Sequence, residues 1–383
     1  MKKSFLSFFV LFFLVLHNPA HSVSLPSPNL AARSWLLMDV VSNQVLASKN
    51  ADDRIASRTA SKLMTAYLVF GALRDGRVSL DQPIVVSEQV ARLGTGGPEM
   101  FLQNGGTATV RELLLGLIVR GGDDAALALA IAVSGDEKTF VELMNREAVR
   151  LGMKSTLFAH PYGSSGKEGY STPSDMAVLA LGVMRDFSDY SSFFSTKEFS
   201  YNGIRMRNGN RLLWLDGAVD GLFATNSPEE SYTLLASAKR DSVLGERRML
   251  SIVTGAVSDQ ARMQESLKLL NWGFQNFDMI RLFEKNQIVA TPEVWKGSSG
   301  KVEVGFNNDT FISVPKGAVS RMKSVLVRND PLIAPIDEGS RIGILKIVVD
   351  DKVIAELPVV ALEQINVASF LGRLWDTIRL WFK

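Results

Sequence analysis

The chain has 383 residues, 46% of them hydrophobic and 21% charged, enough to bury a full core in two domains and unlike a disordered segment. Lysine plus arginine number 42 against 40 acidic residues, so no net field gathers nucleic acid. Cysteine is absent and histidine occurs only at His17, His21 and His160, the first two in a leading segment expected to be removed. Thiol nucleophiles, disulfides and a multi-histidine metal site are therefore excluded, no metal or cofactor is expected, and lysine is the obvious base for any hydrolysis.

Lys2 and Lys3, the apolar run Phe5–Leu16, the breaker Asn18-Pro19 and the small residues Ala20 and Ser22 predict a secretory signal peptide over residues 1–22, cut after Ser22. The run is short against the roughly 20 residues that span a bilayer. Ser34–Ala47 alternates about a Ser42-Asn43 turn and reads as a hairpin. From Ala60 to Arg74 nearly every non-basic position is apolar, which predicts a helix buried on most sides and ended by Asp75-Gly76. Helices follow over Thr109–Val119, Asp123–Ala132 and Asp136–Leu151, the last capped by Gly152. Ser231–Arg240 and Arg247–Val257 read as strands, and Arg262–Phe274 returns to helix.

Beyond Phe277 the texture changes to short alternating runs (Lys301–Val304, Thr310–Val314, Ser324–Val327, Gly343–Val349) between turn residues, predicting a small all-β module. The expected organisation is an α+β or α/β domain over residues 31–277, a β-rich domain over 278–362 and a terminal helix over 366–383. In that helix Phe370, Leu374, Trp375, Ile378, Trp381 and Phe382 fall on one side and Arg373, Asp376, Arg379 and Lys383 on another, a pattern suited to lying in a membrane headgroup layer. It is too short and too charged to span. The alternative is a helix docked on its own domain.

A set of short segments carries a resemblance: Lys62-Leu63-Met64-Thr65-Ala66-Tyr67, Arg120-Gly121-Gly122-Asp123-Asp124-Ala125, Asn145-Arg146-Glu147-Ala148, Tyr170-Ser171-Thr172, Asp216 to Leu222, and Trp272-Gly273-Phe274. In this order and spacing, from about Ala31 to the C-terminus, the chain resembles the D-alanyl-D-alanine carboxypeptidases, low-molecular-weight penicillin-binding proteins of the β-lactamase/transpeptidase-like fold. The resemblance implies an antiparallel sheet with helices, a β-rich second domain and an amphipathic tail. It also implies a serine acylated at the start of the buried helix, a lysine three positions later as base, a Ser-x-Asn turn and a Lys-Thr-Gly strand. Residues three apart on a helix share a face, so that lysine reaches the hydroxyl directly.

Each of these elements is altered. Thr59 stands where the family has its nucleophilic serine, and its extra methyl crowds attack and restricts χ1. The alternative role for Thr59, or for Ser57, is to N-cap the helix. Gly121 replaces the serine of the second motif, and Asp123 its asparagine, which brings a carboxylate toward Lys62 and favours the protonated ammonium. Phe223-Ala224-Thr225 replaces Lys-Thr-Gly, removing the partner for a substrate carboxylate and adding a side chain where glycine lets substrate approach. The expectation is a periplasmic protein at the outer face of the cytoplasmic membrane, strongly impaired or inactive in catalysis. It would bind cell-wall peptide or a protein partner, with no nucleic acid and only peripheral membrane contact. The competing expectation is a D-Ala-D-Ala carboxypeptidase that works through acylation of Thr59.

Overall fold

The computed structural model describes residues 26–163, 168–227, 231–328 and 330–380; the expected signal peptide and Trp381 and Phe382 lie outside the described residues. β1 (Ser34–Asp39) and β2 (Gln44–Lys49) form the hairpin, with Asn43 in the left-handed conformation that asparagine tolerates (φ 57°). Then come α1 (Arg58–Arg74), α2 (Val110–Leu115), α3 (Asp123–Ser134), α4 (Glu137–Leu151), α5 (Pro173–Asp186), β3 (Val219–Ser227), β4 (Ser231–Ser242), β5 (Gly245–Ala256) and α6 (Asp259–Asn276). The five strands make one antiparallel sheet in the order β2-β1-β5-β4-β3, with β3 at one edge.

Helices cover both faces of that sheet. On one face Leu36, Met38, Leu222, Leu235, Leu250 and Ile252 pack into the core built by α1, α3, α4 and α5. On the other, Trp35, Leu37, Leu234, Met249 and Val253 pack against Leu269 and Leu270 of α6. All six residues of β1 are buried, although Ser34–Ala47 reads as an alternating strand: a two-sided cover buries both sets of side chains. α1 is buried on most sides, from Leu63 and Met64 to Phe70.

The helix expected over Thr109–Val119 divides. A capping box between Thr109 and Glu112 starts α2, which gives way at Gly116 to a wider turn through Arg120. There the amide of Gly121 reaches back five residues to the Gly116 carbonyl, and Gly121 leaves the helix at φ 73°. This turn delivers Gly121 and Asp123 to the start of α1.

The second domain is all-β. β6 (Phe277–Phe283) pairs with β7 (Thr310–Pro315), and Val304–Gly305, β10 (Lys352–Ala361), β9 (Arg341–Val349) and β8 (Met322–Arg328) form a four-stranded antiparallel sheet in that order. Ile312, Val314, Leu345, Ile347 and Val359 fill one of its cores. α7 (Phe370–Leu380) ends the described chain, and its row Gly372, Asp376 and Leu380 is half-buried. The Lys296 amide donates to Asp376 at 2.7 Å, and Arg379 lies over the Trp295 ring. Phe370, Leu371, Leu374, Trp375 and Ile378 are exposed. The helix rests on the β domain through one side and leaves its apolar side uncovered.

A buried polar knot joins the two domains. Asp39 accepts from Arg247 Nε and from Ser313 Oγ, both at 2.7 Å, while Arg247 also donates to the Phe277 carbonyl and to Ser313 Oγ. Gln44 bonds the Ser313 amide and the Ile354 carbonyl. Asp39 has no exposed side-chain surface, so removing its counter-charge leaves a buried carboxylate short of a partner. Arg247→Met is therefore expected to cost about 3–5 kcal/mol of stability, read as a lower urea midpoint; an unchanged midpoint would show the knot to be dispensable.

Candidate active site

α1 begins beside the sheet edge, and its first two turns carry the residues of interest. Ser57 occupies the N-cap position without a side-chain capping bond, and Thr59 lies inside the helix, so neither hydroxyl caps it as the alternative reading expected. Ser57 Oγ instead accepts from Ser61 Oγ at 3.2 Å. The Thr59 hydroxyl forms a short hydrogen bond with that of Thr225 on β3. Both threonines are buried, at 1% and 5% exposure.

Lys62 is dry as well, with 1% of its side chain exposed. Its Nζ lies 2.6 Å from Asp123 Oδ1 and donates to the Gly121 carbonyl at 2.6 Å. Asp123 has no exposed side-chain surface. Its other oxygen takes Arg58 Nη1 at 3.0 Å and the Thr95 hydroxyl at 2.6 Å. The carboxylate sits in the first turn of α3, where free amides favour negative charge. A lone buried carboxylate is costly, whereas one held by an ammonium, a guanidinium and a hydroxyl is compensated. Neighbouring acids feel the same charge: burial, then Asp124 and Asp123, push the Glu99 carboxyl above its ordinary range.

Two glycines show how closely the surroundings fit. A Cβ on Gly97 would stand 2.2 Å from Asp123 Oδ2, so the 95–98 segment approaches the carboxylate only with glycine there. Gly121 sits in the left-handed region, where any L side chain, serine included, costs about 1–2 kcal/mol.

The third set of residues is split by the pleat of β3. Phe223 is fully buried in the helical core, while Ala224 and Thr225 line a cavity of about 300 Å³ together with Lys62, Gly121, Arg120, Arg207, Arg211, Tyr232, Asp259 and Arg262. Arg262 donates to the carbonyls of Thr225, Thr233 and Gly209 and pairs with Asp259. Its burial lowers the guanidinium from its ordinary value, with Asp259 opposing. Thr59, Lys62, Gly121, Asp123, Ala224 and Thr225 thus converge, and Phe223 points away.

Sequence reasoning passed over Arg58, Thr95 and Arg262. Arg58 had a signal, a basic residue just before Thr59 that answers an acid at position 123; Thr95 and Arg262 reach the site only through the fold.

Helices on both faces of an antiparallel sheet, with a hydroxyl and a lysine three apart on the helix at its edge, define the penicillin-binding class of serine-type transpeptidase folds. Residues 20–258 match the D-alanyl-D-alanine carboxypeptidase family, and residues 277–367 match the penicillin-binding protein 5 C-terminal domain. The D-alanyl-D-alanine carboxypeptidase DacC of Escherichia coli (strain K12) is 33% identical over 379 residues, covering 97% of this chain and 94% of that protein. DacA of Haemophilus influenzae is 33% identical over 359 residues, covering 93% and 91%. The crystal structure of penicillin binding protein 5 from Haemophilus influenzae superposes with a TM-score of 0.81 at 32% identity, over 89% of this chain and 99% of that one. The chain belongs to the D-alanyl-D-alanine carboxypeptidase family.

The ion cluster makes Asp123 a residue whose loss should be felt in folding. Asp123→Ala removes the carboxylate that two buried cations share and is expected to destabilise by about 3–5 kcal/mol, measured by chemical denaturation. A loss below 1 kcal/mol would mean that Lys62 and Arg58 find other partners or water.

Proposed function

We propose that this chain is an exported, cell-envelope member of its family that binds cell-wall peptide or a protein partner and has lost carboxypeptidase turnover. The observation that carries the reading is the buried ion pair between Lys62 and Asp123. A base must give up its own proton before it can take one from a hydroxyl. An ammonium held 2.6 Å from a dry carboxylate is stabilised with its proton on.

The other changes point the same way. The hydroxyl of Thr59 is engaged with Thr225, whose methyl-bearing side chain stands where approach of a substrate backbone needs room. Gly121 brings no hydroxyl to relay a proton, and Phe223 replaces a cation with a buried ring. In a serine protease, loss of the nucleophile or the base alone costs on the order of a million-fold, and such losses are not additive.

The decisive measurement exposes the purified chain to a labelled penicillin and to a pentapeptide ending in D-Ala-D-Ala. The expected result is no acylated Thr59 peptide and no free D-alanine, with Thr59→Ser alone recovering little. Labelled Thr59, or D-alanine released at a rate typical of carboxypeptidases, would establish the competing reading of a threonine-based enzyme.

We assign the contact with the outer face of the cytoplasmic membrane to α7. Its exposed row of Phe370, Leu371, Leu374, Trp375 and Ile378 supports this assignment, together with its seating on the β domain through Asp376 and Arg379. Among the described residues no helix is long and apolar enough to cross a membrane. Trp375→Glu with Leu374→Glu is expected to abolish co-sedimentation with vesicles containing a quarter anionic lipid (roughly, enough for basic side chains to respond); undiminished sedimentation would move the contact elsewhere.

A further inference from the structure

The cavity beside Thr225 is unbalanced in charge. Among the described residues its lining includes five cationic side chains, Lys62, Arg120, Arg207, Arg211 and Arg262, against the one carboxylate of Asp259. Two of the five are matched locally, Lys62 by Asp123 and Arg262 by Asp259. Arg207 is shared: its Nε lies 3.7 Å from Glu198, which also holds Arg205. Arg120 donates to the Glu99 carbonyl, and Arg211 lies over the Trp214 ring; neither has a carboxylate partner among the described residues. Among the described residues the cavity therefore carries a positive surplus.

The backbone that bears this surplus is rigidly held. Between Arg207 and Arg211, the side chain of Asn208 donates to the Thr196 carbonyl and accepts from the Asn210 amide. Asn210 donates to the Gly221 carbonyl on β3 and accepts from the Leu212 amide. Both asparagines are buried, at 1% and 0% exposure, and Arg262 braces Gly209 from below. Arg120 is carried by the wide turn that ends at Gly121, and its Nε donates to the Glu99 carbonyl. Pinned backbone fixes where these side chains start, and guanidiniums suit planar carboxylates. β3 supplies the third requirement: it is the edge strand of the sheet, and its residues Ala224 and Thr225 form one wall, so an extended backbone can lie alongside it.

We infer that the cavity selects an extended peptide carrying two or more carboxylates, recognised through Arg120 at one lip and Arg207 and Arg211 at the other. This rests on the reading of the site as a place of binding without turnover, and it names the ligand chemistry that site prefers. Recognition is by charge spread along the peptide, so a chain of like shape without the carboxylates is rejected.

The test titrates the full chain calorimetrically with tri-D-glutamate, tri-D-glutamine, inorganic phosphate and a neutral, side-chain-amidated peptide ending in D-Ala-D-Ala. Tri-D-glutamate is expected to bind at least about tenfold more tightly than tri-D-glutamine, with an affinity that falls as salt rises. Arg120→Ala and Arg211→Ala, both at exposed positions, are each expected to remove about tenfold of the tri-D-glutamate affinity and to leave that for tri-D-glutamine unchanged. Equal affinity for the two tripeptides, or acidic binding that survives both substitutions, overturns the inference. Phosphate binding as tightly as tri-D-glutamate overturns it in favour of a simple anion site. Tight, charge-insensitive binding of the neutral D-Ala-D-Ala peptide sinks this inference while sparing the binding role on which it rests; failure of all four ligands sinks this inference and counts against peptide binding itself.

Discussion

The site is organised around one buried carboxylate. Asp123 sits fully out of water, and its charge is tolerable only because Lys62, Arg58 and Thr95 supply an ammonium, a guanidinium and a hydroxyl within 3.0 Å. That requirement reaches outward. Arg58 must open α1, the 95–98 segment must carry glycine at Gly97 to come close enough, and the wide turn before Gly121 must aim a carbonyl at the same ammonium. The surroundings are thus fitted closely to that carboxylate.

The same device recurs at the junction of the domains. Asp39 is held by Arg247 and Ser313 as Asp123 is held by Arg58, Lys62 and Thr95. In both places a carboxylate buried between elements far apart in sequence is satisfied by a guanidinium and a hydroxyl. Geometry this demanding specifies one arrangement of the parts more than it adds net stability. The knot at Asp39 fixes the β domain against the hairpin β1–β2, and through β1 against the sheet on whose far edge the cavity lies. The exposed apolar side of α7 is therefore carried on a body whose orientation to the cavity is set by buried bonds.

Much of this was readable in the sequence, for reasons that differ by element. The long helix α1, the strands β4 and β5 and the turn to an all-β module are written in local periodicity and turn residues, which act over a few positions. The approach of Asp123 to Lys62 was readable because family spacing ties positions 61 apart in sequence to one another. The pairing of Thr59 with Thr225 was not, since it depends on the register of β3 and on a rotamer, neither of which local pattern encodes. Ser57 misled for a related reason. It holds the N-cap position, but its hydroxyl is taken by Ser61, and a propensity cannot report which of two partners wins. β1 read as alternating because only a view of α6 on the second face reveals that both of its sides are covered.

On the proposed reading, a family frame that keeps its cavity without turnover favours different physics. Catalysis requires contacts that strengthen in the transition state, and so a base free to change its charge and a hydroxyl free to move. Binding requires the reverse: groups that keep their charge, backbone that does not move, and complementarity to the ground state. Lys62 tied to Asp123, Thr59 tied to Thr225, and the arginine loop tied down by Asn208 and Asn210 all tend toward fixity. With Phe223 where the resemblance implies a lysine, the cavity still carries positive charge, from Arg120, Arg207 and Arg211 in its lining. On the proposed reading the positive charge lies at Arg120, Arg207 and Arg211 instead of at position 223, where the family resemblance implies a partner for a substrate carboxylate. On the proposed reading that redistribution is what converts a turnover site into a recognition site, and it does so without altering the sheet that supports either one.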